Sequence, residues 1–337
     1  MSKRKQDNFG AFLRGFSIMT IVLFHFLRLV PFPYFLSKSI QLGGTGVHVF
    51  LFLSGFGLSL STYKGWTDFL KKRFVKVLIP YYVGIILIYF INVLTEIYPN
   101  GLATLISSLF LYKMFIEAYT RNFGGHFWFI STIVQFYLAF PLILYVYNLL
   151  GWKKILSASV LISIAYTLII IALEKESYRI WNSFFLQYLW EFVLGMAVAQ
   201  NQWLKRWLSL PWYSILGICV GGLALTGVLY QLGGKSGQVL NDFFAFFGYL
   251  SGATLFYLLF KNNTYFIRFF GWIESVSFSV YIMHMLPINL YMVYIGRKTL
   301  TLFEVPLLLA TSFLVSICFD FLIKRMMAAL NRESILK

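Results

Sequence analysis

Two polar side chains interrupt an apolar run near the amino terminus, Phe12-Leu-Arg14-Gly-Phe-Ser17-Ile-Met-Thr-Ile21-Val-Leu-Phe-His25. An arginine presents a planar fork of donors that fits phosphate or carbonyl oxygens, and a histidine takes or gives a proton near neutral pH. Eleven steps separate them, and at about 100° each they make three turns plus about 20°, so on a helix the two share a face, about 16 Å apart along the axis. Ser17 and Ile21 fall between them. A cation inside a membrane costs roughly 2.5 kcal/mol or more without a partner or a wet cavity, which makes both residues functional candidates. Taken alone, the pair leaves a second reading open, a snorkelling Arg14 and a His25 bonded to a neighbouring helix.

Other chemistry-bearing residues follow. His48 lies in Gly43-Gly-Thr-Gly-Val-His48-Val-Phe-Leu-Phe-Leu-Ser54-Gly55-Phe56, where small Ser54 and Gly55 let helices approach closely, a feature that packing alone also accounts for. Arg73 opens Lys72-Arg73-Phe-Val-Lys76-Val-Leu-Ile-Pro80-Tyr81, a basic entry to a helix with proline near its start, where the missing N–H costs little. Such an entry serves equally as a positive-inside anchor. His126 and Trp128 begin an apolar run at the level of an aromatic belt. Glu191, inside another run, either pairs with a buried donor or orients a catalytic group. His284 reads as packing among Tyr281, Met283 and Met285. Cys219 and Cys318 sit in separate apolar runs, as reduced buried thiols rather than a disulfide, and no metal site is expected.

The elements that carry these residues are membrane helices. Of 337 residues, 59% are hydrophobic, 20% aromatic and 12% charged, against about a quarter charged in soluble domains. Lys plus Arg outnumber Asp plus Glu by 28 to 12. In a membrane protein that excess anchors cytoplasmic loops, and no basic groove interleaved with aromatics points to nucleic acid. The start, Met1-Ser-Lys-Arg-Lys, is like a signal n-region, yet the run after it is too long and Arg28-Leu-Val-Pro is no small-residue cleavage site. The first span is therefore expected to be retained. Runs of spanning length, roughly 17–25 residues, fall at 9–29, 44–61, 77–95, 127–150, 155–173, 181–200, 212–230, 242–260, 276–295 and 303–323. The reading is an all-α polytopic membrane protein, one domain over 1–337 with about ten spans.

An eleventh run, 102–116, is shorter and contains Lys113. With Lys3, Arg4, Lys5 and the Lys64 to Lys76 loop inside, a crossing there would put Lys153, Lys154, Lys205, Arg206, Lys261, Arg268 and the tail from Lys324 outside. A segment that returns keeps all of them inside, so charge predicts cytoplasmic termini and a re-entrant or interfacial 102–116. Irregular backbone at membrane depth is tolerated only beside protein or a wet cavity. Gly65-Trp66-Thr67-Asp68 predicts the cap of an interfacial amphipathic helix through Val75, facing anionic lipid headgroups. No internal repeat, low-complexity tract or soluble domain is visible.

In order and spacing these stretches resemble the acyltransferase-3 family of integral membrane O-acyltransferases. Arg14 with ten residues before His25 is similar to the family's first-helix Arg/His signature, and Val47 to Phe56 to its Phe-Phe-x-x-Ser-Gly element. Arg73 to Tyr81 is similar to its basic-x-x-x-Pro-Tyr entry, and His126-Phe-Trp128-Phe-Ile with Phe136-Tyr137 and Pro141 to its Trp-Phe-Leu…Phe-Tyr…Pro helix. Glu191-Phe-Val-Leu-Gly195 and Ser277-Phe-Ser-Val-Tyr281-Ile-Met-His284 resemble two later elements. The chain departs from the pattern at His48, where an acidic or small residue is common, and at Asp320-Phe-Leu, where many members have Glu-x-Pro.

The resemblance implies an enzyme of the cell membrane that moves an acyl group, most simply acetyl, from acyl-CoA to a sugar hydroxyl of a surface polysaccharide or its lipid-linked precursor. Acyl-CoA is then a donor substrate, with no permanently bound cofactor. His25 would be the general base, Arg14 would hold the donor, and Glu191 would complete the catalytic set. Arg73, His126, Trp128, His48 and Ser54 would line the substrate path. Many relatives carry a further hydrolase-like domain, so this chain is expected to act directly on the acceptor or with a separate extracytoplasmic transferase. The competing class is a transporter or flippase for an acylated or lipid-linked compound, which usually shows paired repeats with matching broken helices. A membrane scaffold would not need Arg14 and His25 on one face.

Overall fold

The computed structural model describes residues 3–335, with side chains from 8 to 329. The basic start therefore enters through its backbone alone, and Met1, Ser2, Leu336 and Lys337 lie outside the described residues. In chain order the helices are α1 (Lys3–Leu27), α2 (Tyr34–Gln41), α3 (Gly46–Ser59), α4 (Trp66–Arg73), α5 (Ile79–Thr95), α6 (Gly101–Leu109), α7 (Trp128–Ala172), α8 (Leu189–Gln200), α9 (Trp203–Trp207), α10 (Trp212–Leu240), α11 (Asp242–Phe260), α12 (Thr264–Met283), α13 (Met285–Ile295) and α14 (Glu304–Ile335). Among the described residues there is no strand.

Eight helical stretches are long and apolar enough to cross a membrane. The longest, Gly125–Ala172, has 48 residues, and straight it would measure about 70 Å, more than twice a hydrocarbon core. It turns back at Gly151, φ 77° and ψ 160°. Trp128 at its start consequently lies 5.3 Å from the Arg179 guanidinium past its end. α7 thus contributes two crossings, and the shorter α8 completes ten. Tyr188 ahead of α8 packs on Trp128, while Trp203 beyond it packs on Trp152 at the Gly151 turn.

The predicted short segment does not cross. α6 has nine residues, about 14 Å of helix, and the chain then returns through single turns of 3-10 helix. Asn122 donates to the Pro99 carbonyl and to Thr104 Oγ1, both at 3.0 Å, so both ends of the segment lie together. The predicted interfacial helix is α4, which runs into α5 through a π turn at Phe74–Leu78. Pro80 lacks an N–H and its ring crowds the carbonyl four residues back, so the helix widens there instead of breaking.

Three boundaries differ from the apolar runs. The ninth crossing begins at Thr264, capped by Asn263, rather than at Val276. Arg268 and Glu274 dilute its apolar pattern, but Glu274 is neutralised by Arg14 at 3.4 Å. The sixth becomes helical only at Phe185, because the polar stretch before it forms turns. The second is bent, α2 joining α3 through a 3-10 turn at Leu42–Thr45. Cys219 is half-buried and Cys318 exposed, so neither is the buried thiol that its apolar run predicts.

Packing centres on α1, which lies against α3, α11, α12 and α14. Phe12 is buried among Phe16, Tyr257, Phe266 and Phe270. α3 and α8 cross at Gly55 and Gly195, where a Cβ on either would collide with the Phe192 or Phe52 carbonyl of the other helix. Gly55 therefore does what its size predicted. Ser54 turns away and donates to the Phe50 carbonyl at 2.7 Å.

Candidate active site

A cavity of about 900 Å³ opens where the end of α1 meets the starts of α3, α7 and α11. His25, His48, His126, Trp128, Tyr188 and Asp242 line it. Three imidazoles meet at one wall, with ring centres 5.2 Å apart for His25 and His284, 4.7 Å for His126 and His284, and 6.4 Å for His25 and His126. His284 Nδ1 lies 2.9 Å from the Val280 carbonyl and 3.0 Å from that of Tyr281. Carbonyls only accept, so Nδ1 carries the proton and Nε2 is left as an acceptor.

That Nε2 is buried without a partner, and so is Nδ1 of His25. Buried polar atoms without partners are rare and call for an explanation. They are complementary in kind, an N–H donor and a lone pair on rings whose centres are 5.2 Å apart, but no hydrogen bond joins them here. A His25 that holds its proton on Nδ1, toward His284, keeps a free lone pair on Nε2 at the cavity wall.

His126 is set by the 3-10 turn Gly125–Phe127. Gly124 before it has φ +119°, and a Cβ there would strike the His126 ring, so the turn requires glycine. The His126 carbonyl accepts from Tyr281 OH at 2.5 Å, while both ring nitrogens are buried and unpartnered. Behind the turn, buried Lys113 donates to the Gly124 carbonyl at 3.2 Å and lies 5.3 Å from the centre of the Phe127 ring. No carboxylate pairs with it among the described residues, and burial pushes its ammonium down to about 7.

His48 lines the same cavity in the opposite condition. Its Nδ1 lies 2.7 Å from Glu191 Oε1, and its Nε2 faces Asp242 Oδ1 at 3.6 Å. Gln187 donates to the other Asp242 oxygen at 3.0 Å. With both nitrogens directed at carboxylates, His48 acts as a donor and a charge bridge between α3, α8 and α11. Glu191 is fully buried behind it, away from His25.

A second cavity, about 190 Å³, lies toward the start of α1 and is lined by Arg14, Phe50, Ser54, Arg73 and Tyr137. Arg14 spends one donor on Glu274. The Arg73 guanidinium lies 5.4 Å from the Phe69 ring centre and 5.8 Å from that of Tyr137, with its Nε buried and unpartnered. On α3, Val47 lines the large cavity and Phe50 the small one. Three residues of helix rise about 4.5 Å, so the two cavities approach each other along this helix, where the Phe50 ring packs on Phe129.

The candidate residues therefore sort into two groups, His25, His48, His126 and Trp128 with Glu191 behind, and Arg14, Ser54 and Arg73. Asp320, bonded to Ser279 and Lys324, lines neither cavity. Among the described residues no three His, Cys, Asp or Glu side chains are placed to hold a metal ion.

The acyltransferase-3 family profile, described as an acyltransferase domain, matches residues 11–321. The chain belongs to this family. No curated protein and no solved structure matches it. As a multi-pass membrane acyltransferase it needs a base for the attacking group and donors for the carbonyl oxygen. Of its four histidines, His25 alone lines the large cavity with a ring nitrogen, Nε2, that is neither buried without a partner nor faced by a carboxylate. The residues that sequence reading missed are His284, whose ring lies beside that of His25, and Asp242 as the second carboxylate at His48. The stretch ending in His284 carried a signal, but not its target.

Proposed function

We propose that the protein is an O-acyltransferase that moves acetyl from acetyl-CoA to a sugar hydroxyl of a cell-surface polysaccharide or its lipid-linked precursor, with both termini cytoplasmic. The observation that carries this reading is the His25–His284 arrangement on the large cavity, at the far end of the helix whose other end brings Arg14 into the small one. The loops on the Arg14 side hold Lys64, Lys71, Lys153, Lys205 and Lys261, a field that attracts nucleotide phosphates. Arg14 and Arg73 steer the donor, and its pantetheine arm runs past Phe50 toward His25.

The acceptor hydroxyl gives its proton to His25 Nε2 as its oxygen attacks the thioester carbonyl. The C–O bond forms, the C–S bond breaks, and the proton passes from His25 to the leaving thiolate, which departs as free CoA. His284 takes up the Nδ1 hydrogen bond throughout. His126 and Trp128 border the acceptor, and His48 with Glu191 and Asp242 holds the helices around it.

Mass spectrometry of surface polysaccharide from cells with the gene, without it, and with His25→Gln tests the reading. Acetyl groups present only with the wild-type gene are expected. An unchanged acetyl pattern on deletion would remove the glycan assignment.

A further inference from the structure

Four basic side chains on the wall of the large cavity, Arg28, Arg121, Arg179 and Lys235, form no ion pair among the described residues. The carboxylates that share the cavity are engaged elsewhere. Glu117 accepts the backbone N–H groups of Arg179 and Ile180, each at 3.3 Å. Glu176 accepts from Ser236 Oγ at 2.6 Å, and Asp242 faces His48 and Gln187. The cations also crowd one another. Burial and the neighbouring guanidiniums of Arg179 and Arg121 hold Arg28 below the usual arginine range.

Two of the guanidiniums are oriented by aromatic rings. Arg28 lies 5.4 Å from the centre of the Phe24 ring, and Arg179 lies 5.3 Å from that of Trp128. A guanidinium that rests on a ring keeps its in-plane N–H fork for an anion. Like charges gathered without a paired carboxylate repel, even with Glu176 near Lys235 and Asp242 near Arg179, and a multiply charged anion between them relieves the repulsion.

We infer that this cluster binds a phosphate or diphosphate carried by the acceptor, so that the glycan is presented to His25 through its phosphate. This rests on the transferase reading above. The donor's own phosphates belong to the Arg14 side, beyond Phe50, whereas these four cations share a cavity with His25.

The test uses the full chain in nanodiscs of neutral phosphatidylcholine, with inorganic pyrophosphate as the probe. Pyrophosphate should bind, and Arg28→Gln and Arg179→Gln should each weaken it by about tenfold or more, the worth of a charge-assisted hydrogen bond. Lys235→Gln stands in should either variant be lost from the membrane. Lys298→Gln removes an exposed charge on the same side but outside the cavity, and should leave binding unchanged. Pyrophosphate should also raise the KM for acceptor and not for acetyl-CoA. Equal binding by the wild type and the cavity variants overturns the site. Displacement of pyrophosphate by coenzyme A assigns the cluster to the donor, and displacement by phosphatidylglycerol assigns it to a lipid headgroup; either result overturns the acceptor claim. Cluster-dependent binding without acetyl transfer to any hydroxyl acceptor would sink the transferase reading while leaving the anion site in place.

Discussion

At its Arg14 end, α1 meets a cavity of about 190 Å³ in which the cation is partnered by Glu274 and a second guanidinium rests among aromatic rings. At its His25 end it meets about 900 Å³, with imidazole nitrogens and cations on the wall that have no partner among the described residues. The small cavity suits a narrow, flexible arm that passes through, and of its two guanidiniums Arg14 is paired with Glu274 while Arg73 keeps a buried, unpartnered Nε. The large one admits a bulky polar molecule, and its polar groups are left unsatisfied for that molecule to satisfy. The same contrast recurs within the large cavity. His25 and His48 are identical side chains, yet one keeps a free nitrogen and the other is bridged by two carboxylates, the difference on which the proposed base is told from a structural tie.

The largest effect expected from this contrast is at His25. His25→Ala should lower acyl transfer by about 10²- to 10⁴-fold with membrane abundance unchanged. His25→Gln, which keeps a hydrogen-bonding group but cannot take the proton, should do the same in a single-turnover assay with purified protein. His48→Ala should act on stability instead. It strands buried Glu191 and should cost about 3–5 kcal/mol, read as a lower Tm in detergent, and Glu191→Gln in the same chain should recover part of the loss.

His284→Ala should lower turnover less than His25→Ala, because His284 acts through another residue. The acid limb of the pH–rate profile should move with it, which a merely structural role would not cause. Arg14→Lys keeps the charge and loses the planar fork, so the KM for acetyl-CoA should rise by about tenfold in steady-state assays while kcat changes little.

The smallest expected effect is at Lys113. Its ammonium sits at about 7 in the fold and near 10.4 when unfolded. Between those values the unfolded chain holds a proton that the folded chain has released, so stability rises with pH across the window. Lys113→Met should flatten that rise in Tm relative to wild type, and an unchanged slope would mean that the amine is not held neutral behind His126.

Much of this arrangement was legible because it is local. The spacing of Arg14 and His25 and the small Gly55 each act within a helix, and the basic loops that keep 102–116 from crossing are counted from the sequence without knowing what they touch. The ninth crossing was misplaced because its Glu274 finds its partner on α1, about 260 residues away in sequence. The apolar pattern registers the charge of Glu274 but not its neutralisation. His284 read as packing for the same reason. Its neighbours in sequence are Tyr281 and Met285, whereas its neighbours in space are His25 and His126. The carboxylates on His48 and the cations opposite His25 likewise come from separate helices and loops that only the folded bundle brings together.

The central claim, that the two ends of α1 serve the two substrates, is tested most directly by sidedness. In sealed vesicles of uniform orientation, acetyl-CoA would be supplied on the Arg14 side and the glycan acceptor on the His25 side, and then both on the His25 side. Transfer is predicted in the first arrangement, lost in His25→Gln, and absent from the second. Equal transfer with both substrates on the His25 side would place donor and acceptor in one cavity and contradict the account.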